Sequence, residues 1–179
     1  KWLGHEKEAE NWLSKEALAE RNALRGRVAT GPKGEPWDPA ETRIERALGV
    51  KMTKALSPHF EAYAVYDAES LSKAVQVGEV AYVECVRRLG LPEEGAYLPG
   101  RITLAIVDTP AQHAAFVEAF YTDPKERDEM KGLGGTVGRG RIEHRGTANV
   151  GQRVAHNTAH IVVREACGIE EGMSESEAG

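Results

Sequence analysis

The stretch Arg101–Val107 (RITLAIV) restricts this chain more than any other, because it is almost wholly apolar. A strand of that kind shows apolar side chains on both faces, so it is predicted to be central in its sheet with both faces covered. The pattern from Ser57 onward alternates strand and helix around it. His59–Tyr66 is a strand candidate with apolar or aromatic side chains on both faces. Ala68–Leu89 reads as a long helix, because Leu71, Ala74, Val75, Gly78, Tyr82, Cys85, Val86 and Leu89 recur at helical spacing. Gly90 and Pro92 end it, Thr109-Pro110 opens another helix running to about Phe120, and Lys125–Met130 adds a turn.

Gly132–Gly146 carries six glycines. It lacks the Gly-Lys-Ser/Thr ending of a phosphate-binding loop, and no clear strand precedes it, so it reads as a glycine-rich hairpin with Arg141–Arg145 as second strand. These elements together predict an α+β fold.

Residues 1–50 read as an N-terminal helical appendage and 51–179 as the main domain. All three tryptophans, Trp2, Trp12 and Trp37, fall in the first part. Glu8–Arg25 is rich in Ala, Leu, Glu and Arg and is predicted helical. After the loop Thr30–Pro36, Asp38 followed by Pro39 and Glu41 resembles a helix start, with Gly49 at its end. The chain begins at Lys1 rather than Met and so reads as an excerpt. At 41% apolar and 28% charged residues it can bury a core. Its net charge of −5 argues against a nucleic-acid surface. No apolar run reaches the roughly 20 residues that span a bilayer. Two cysteines, Cys85 and Cys167, make neither a disulfide framework nor a zinc ribbon, and are expected as small buried thiols on helices.

The segment Val150–Ala166 carries the most specific chemistry. As a helix it places Arg153, His156, Asn157, His160 and Arg164 in one stripe. Val150, Val154, Ala155, Ala159, Ile161, Val162, Val163 and Ala166 cover the rest. A helix apolar nearly all round is predicted to be buried, and its polar line then needs partners inside the protein. Two histidines at i and i+4 project in one direction and can share an ion at about 2.0–2.1 Å. The plainer alternative is a hydrogen-bonded pair of core histidines. A third ligand has four candidates downstream, Glu170, Glu171, Glu175 and Glu177, which spacing alone does not separate; as plain structure they are solvated acids at a helix start.

Taken together, Ser57-Pro58-His59-Phe60-Glu61, the long helix, the central strand, the glycine-containing hairpin and His156-Asn157-Thr158-Ala159-His160 resemble the peptidase-MA-like gluzincins, a family of zincin metallopeptidases. Glu171-Gly172-Met173-Ser174 resembles the motif carrying that family's third ligand. The resemblance covers about two thirds of the chain. It implies a small mixed sheet packed on the H-x-x-x-H helix, Zn²⁺ as cofactor, and His156, His160 and Glu171 as its ligands. It also implies a peptide or protein ligand and, through the tryptophan-bearing segment, a bacterial envelope or secreted setting. Asn157 stands where the family has its general-base Glu. His160 and Glu171 are 11 positions apart, a short connection, and the tryptophan that commonly precedes the ligand Glu is missing, so the third ligand can also lie beyond Gly179. Losing a general base typically costs about 10²–10⁴ in rate, so the expectation is a zinc-binding domain with impaired catalysis. An active hydrolase with another base, such as Glu143 or Glu165, and a metal-free interaction domain are the alternatives.

Overall fold

The computed structural model describes residues 5–8, 11–92, 97–98, 100–138 and 140–168. They form two compact units, Lys1–Gly31 and Pro32–Gly179.

In the first unit, β1 (His5–Glu8) and β2 (Asn11–Ser14) pair antiparallel, and α1 (Lys15–Thr30) follows. The helix starts later than the predicted Glu8. Residues Asn11–Ser14 are committed to strand pairing, and the Ser14 hydroxyl caps the helix by accepting the Ala17 N–H at 3.1 Å. The first unit is thus a strand ribbon plus a helix.

The compact units divide at Gly31, whereas the sequence divides at residue 50, and within 32–50 one short strand joins the main sheet and one helix packs on its core. β3 (Glu35–Pro36) pairs with β4 (Thr53–Leu56). α2 (Arg43–Leu48) buries Ile44 against Met52, Tyr63 and Phe116. Its N-cap is Thr42, in a reciprocal capping box with Glu45, rather than Asp38. Asp38 instead lies 3.5 Å from the Lys54 ammonium, which also holds the buried Glu45 at 3.0 Å. Gly49 ends α2 with a left-handed φ of 66°, a conformation with no steric penalty for glycine.

The second unit is α+β, with six strands in the order β3-β4-β5-β6-β8-β7. β5 (Phe60–Ala64), α3 (Ala68–Arg88), β6 (Ile102–Val107), α4 (Pro110–Phe120), α5 (Pro124–Lys131), β7 (Gly135–Gly138), β8 (Arg141–Arg145) and α6 (Val150–Cys167) complete it. β6 sits between β5 and β8, parallel to both, as an apolar run requires. Among the described residues β7 pairs antiparallel with β8 alone and forms an edge.

Strand alternation separates two cores. Phe60, Ala62, Ala64, Ile102, Leu104, Ile106 and Ile142 pack with Leu71 and Val75 of α3 and with Val154 and Ile161 of α6. On the opposite face Tyr63 and Ala105 pack with Phe116 and Val117 of α4 and with Ile44. Fully burying one such large apolar side chain stabilises the fold by about 1.5–3 kcal/mol. At Gly78 the helix α3 comes so close to the sheet that an added Cβ would stand 2.6 Å from the Phe60 ring. Asp67 caps α3 through the Ser70 N–H, and Thr109 caps α4 in a capping box with Gln112.

Helix α6 spans the predicted residues and stops at Gly168, but it is not buried all round. Val154, Thr158, Ile161 and Val162 are buried, whereas Arg153, His156 and His160 are exposed. The physical reason is that the small side chains Ala155 and Ala159 flank the buried face and need no cover of their own, so Arg153, His156 and His160 can face solvent. Cys85 is half-buried, with its thiol 3.9 Å from the Ala159 carbonyl, while Cys167 is exposed in the last position of α6, against expectation. Among the described residues no helix is long and apolar enough to cross a membrane.

Candidate metal centre and adjoining cleft

The one-turn spacing on α6 brings the two imidazoles together. His156 and His160 lie ring to ring at 4.5 Å, nearly perpendicular, and one Nε2–H donates to the other Nε2 across 3.0 Å. Two nitrogens bound to one tetrahedral ion at 2.0–2.1 Å stand about 3.3 Å apart, close to the separation of this pair. Among the described residues no group of three or more His, Cys, Asp or Glu side chains is placed to hold a metal. Glu171 and its neighbours Glu170, Glu175 and Glu177 lie outside the described residues, as does the short helix expected near Glu170.

Asn157, half-buried between the histidines in sequence, turns to a cleft of about 190 Å³ that Arg153 also lines. The opposite side of the cleft is the terminal hairpin: Thr136 and Val137 of β7, Glu143 and His144 of β8. Gly135 lets the two strands approach closely, since a Cβ there would meet the Glu143 carbonyl at 2.5 Å. His144 is buried, and its Nε2–H donates to the Ala148 carbonyl at 3.2 Å. Burial pushes its pKa down, so the ring is held neutral.

Glu143 is almost wholly buried, at 1% exposure. Its Oε2 shares a hydrogen with His113 Nδ1 at 2.8 Å, and His113 Nε2–H donates to the Met130 carbonyl at 3.0 Å. Burial raises the pKa of Glu143, and the adjacent His113 only partly offsets this. Among the described residues its second oxygen, Oε1, has no hydrogen-bond partner within ordinary geometry, while the buried hydroxyl of the cross-strand neighbour Thr136 interacts with that of Tyr121.

Compared with known proteins, the chain matches no family model, no curated protein and no solved structure. The reading of the site therefore stands on residues and geometry. Of the residues singled out in sequence, His156 and His160 are brought together and Asn157 lies beside them on the cleft. Glu165 is exposed and lines a different cleft with Arg101, Arg141 and Phe120.

Two constellations escaped the sequence reading. One is His113–Glu143. The other is Glu79, buried at 1% exposure, which accepts hydrogen bonds from the Ser57 hydroxyl at 2.5 Å and the His59 N–H at 2.8 Å, and pairs with His59 Nδ1 at 2.7 Å. The His59 ring stacks on Tyr82 at 3.7 Å. Burial opposes the charge on Glu79, but these hydrogen bonds win and hold its carboxyl below the ordinary range. Partners 20 and 30 residues apart on different elements leave no periodic trace. A Glu at an apolar helical position, as Glu79 is between Val75 and Tyr82, was the one available signal.

Proposed function

We propose that the second unit is a metallopeptidase-like zinc-binding domain whose hydrolytic capacity is impaired because Asn157 occupies the position of the general base. The observation that carries this reading is the approach of His156 Nε2 and His160 Nε2 to 3.0 Å from one helix face. The third donor proposed is Glu171. A zinc ion held there supplies Lewis acidity and a bound water of lowered pKa. The Asn157 amide can orient that water by a hydrogen bond but takes up no proton, so the base step is lost. Edge strand β7, with one side unpaired in the sheet order, is the surface on which an extended peptide can add as a further strand. Placement of Asn157 on the cleft beside β7 supports a peptide lying there.

Metal analysis of the purified chain tests the reading, with one equivalent of zinc expected and its loss in His156→Ala and His160→Ala. Asn157→Glu is then expected to raise zinc-dependent hydrolysis of a peptide library by about 10²-fold or more. Stoichiometric zinc with no gained activity rejects the peptidase ancestry; no zinc at all rejects the site. A second reading, a metal-free interaction domain, draws support from the exposure of both histidines, which water satisfies without an ion. A hydrolase using Glu143 as base is supported less, because that carboxyl is engaged with His113.

A further inference from the structure

We propose that His59 is a phosphoryl-acceptor site, whose Nε2 attacks the phosphorus of a small activated donor of the phosphoramidate or acyl phosphate class while Glu79 holds the ring by Nδ1. The geometry isolates that nitrogen. Nδ1 lies 2.7 Å from Glu79 Oε2, and one ring face is stacked on Tyr82 with centroids 3.7 Å apart. The side chain is nevertheless 31% exposed, so its open parts are the other face and the edge that carries Nε2. Among the described residues no group is bonded to Nε2.

Which nitrogen carries the hydrogen follows from the carboxylate. Glu79 Oε1 accepts the Ser57 hydroxyl at 2.5 Å and the His59 N–H at 2.8 Å. Burial opposes its charge, but the hydrogen bonds hold the carboxyl below the ordinary range. An ionised carboxylate only accepts, so Nδ1 is the donor and the neutral ring keeps its lone pair on Nε2. A metal also takes such a nitrogen, on a ring oriented by a carboxylate. It needs further ligands, however, and among the described residues no group of three His, Cys, Asp or Glu side chains is placed to supply them. Attack on an electrophile needs none.

With a phosphoramidate donor the step balances. The Nε2 lone pair forms the new N–P bond, the donor's own P–N bond breaks, and ammonia leaves with that electron pair. The ring is left cationic, and the charge develops beside the Glu79 carboxylate, which stays ionised and offsets it. The incoming group is an anion, and Arg101 brings the opposite charge to the same end of the sheet. The Ile102 N–H donates to the His59 carbonyl at 2.7 Å, and Nε of the exposed Arg101 donates to the Ser57 carbonyl at 2.9 Å. Its guanidinium is thus anchored two residues before His59. The remaining N–H groups bond no described residue and suit phosphoryl oxygens. The site uses no residue of α6 and stands whether or not His156 and His160 hold a metal.

Reaction of the full chain with phosphoramidate, in mildly alkaline buffer with chelator, tests this by phosphorus NMR and by mapping the modified histidine. His59 is expected to react roughly tenfold faster than His156 or His160, which bond each other rather than a carboxylate. Nitrogen NMR of the unreacted His59 ring is expected to show the hydrogen on Nδ1. Glu79→Gln removes the charge at little change in volume and is expected to slow His59 about tenfold, with the α6 histidines unaffected. Arg101→Ala is expected to slow phosphoramidate several-fold but not diethyl pyrocarbonate, an uncharged acylating reagent, and Arg101→Lys to recover part of the loss. Reaction at His59 no faster than at the α6 histidines, a hydrogen on Nε2, or a folded Glu79→Gln that reacts like the parent overturns the assignment. Should Glu79→Gln fail to fold, the nitrogen spectrum and the rate ratio in the parent decide alone. Fast acylation of His59 without phosphorylation, or an Arg101→Ala as reactive to phosphoramidate as the parent, overturns the choice of a phosphoryl donor.

Discussion

Two of the protein's close histidine pairings are opposites. His113 and Glu143 are buried between α4 and β8, at 1% exposure each, with both imidazole nitrogens engaged. His156 and His160 are exposed on α6 and engage one another. In the first pair every proton is confined by the fold; in the second, water can take either partner's place. The difference teaches where each can act. Breaking a buried pair strands its remaining member, whereas either member of an exposed pair can be replaced by water.

The sharpest way to break the comparison is Glu143→Ala. Removing one member of a buried pair is strongly destabilising, by about 3–5 kcal/mol, because the other is left uncompensated. For a unit of this size that lowers the melting temperature by roughly 10 °C. Calorimetry checks it. Replacing both members, as His113→Leu with Glu143→Leu, is expected to recover much of the loss, since no polar atom of the pair is then stranded. If Glu143→Ala is silent, the pair is not the anchor described.

A smaller effect belongs to the exposed pair. Zinc at 100 times its dissociation constant stabilises a folded site by about 2.7 kcal/mol. Melting with and without zinc is expected to show that gain in the parent, to lose it in His160→Ala, and to keep it in Thr136→Val. Zinc stabilisation that survives His160→Ala would place the ion elsewhere.

Acidity separates the two sides further. The folded state lowers the His144 pKa below its ordinary 6.5, so that stability contribution is present above 6.5 and lost as pH falls through the folded value. Glu143 behaves oppositely. Its folded pKa is raised above 4.5, so its contribution is present below 4.5 and lost as pH rises through the folded value. Urea midpoints against pH are expected to fall less steeply on the acid side of 6.5 in His144→Gln. An unchanged acid limb would mean that the fold leaves the His144 pKa where the unfolded chain has it.

How far these features could be read in advance follows from their range. The central strand, the long helix α3, the glycine-rich hairpin and both ends of α6 are local patterns, and each lies where periodicity and caps placed it. β3 was missed because it is only two residues long and pairs with residues distant in sequence, and β4 because it is only four residues long. The Thr42 cap outcompeted Asp38 because Glu45 could close the box and also reach Met52 N–H and Lys54, contacts that only the tertiary fold provides. The spacing of His156 and His160 gave their convergence, but not their exposure: the alanines beside the stripe counted as apolar surface without needing cover. The more deeply buried histidine of the described residues, His113, has no signature, because it lies on a helix and its partner on a strand 30 residues away.

The smallest expected effect is also the most direct check on the contrast. In metal-free protein, His156→Ala is expected to shift stability by less than about 0.5 kcal/mol, the usual range for a surface position. The argument has two parts. The side chain is exposed, so its removal leaves no cavity and strands no buried group. Its one side-chain hydrogen bond among the described residues, to His160, is replaced by water at little net cost, and alanine has the higher helix propensity. Chemical denaturation with chelator present measures the shift. A loss of 2 kcal/mol or more, roughly the lower bound for a buried, partnered residue, would mean that His156 is covered in the protein in solution, and the contrast between the two pairs would fall.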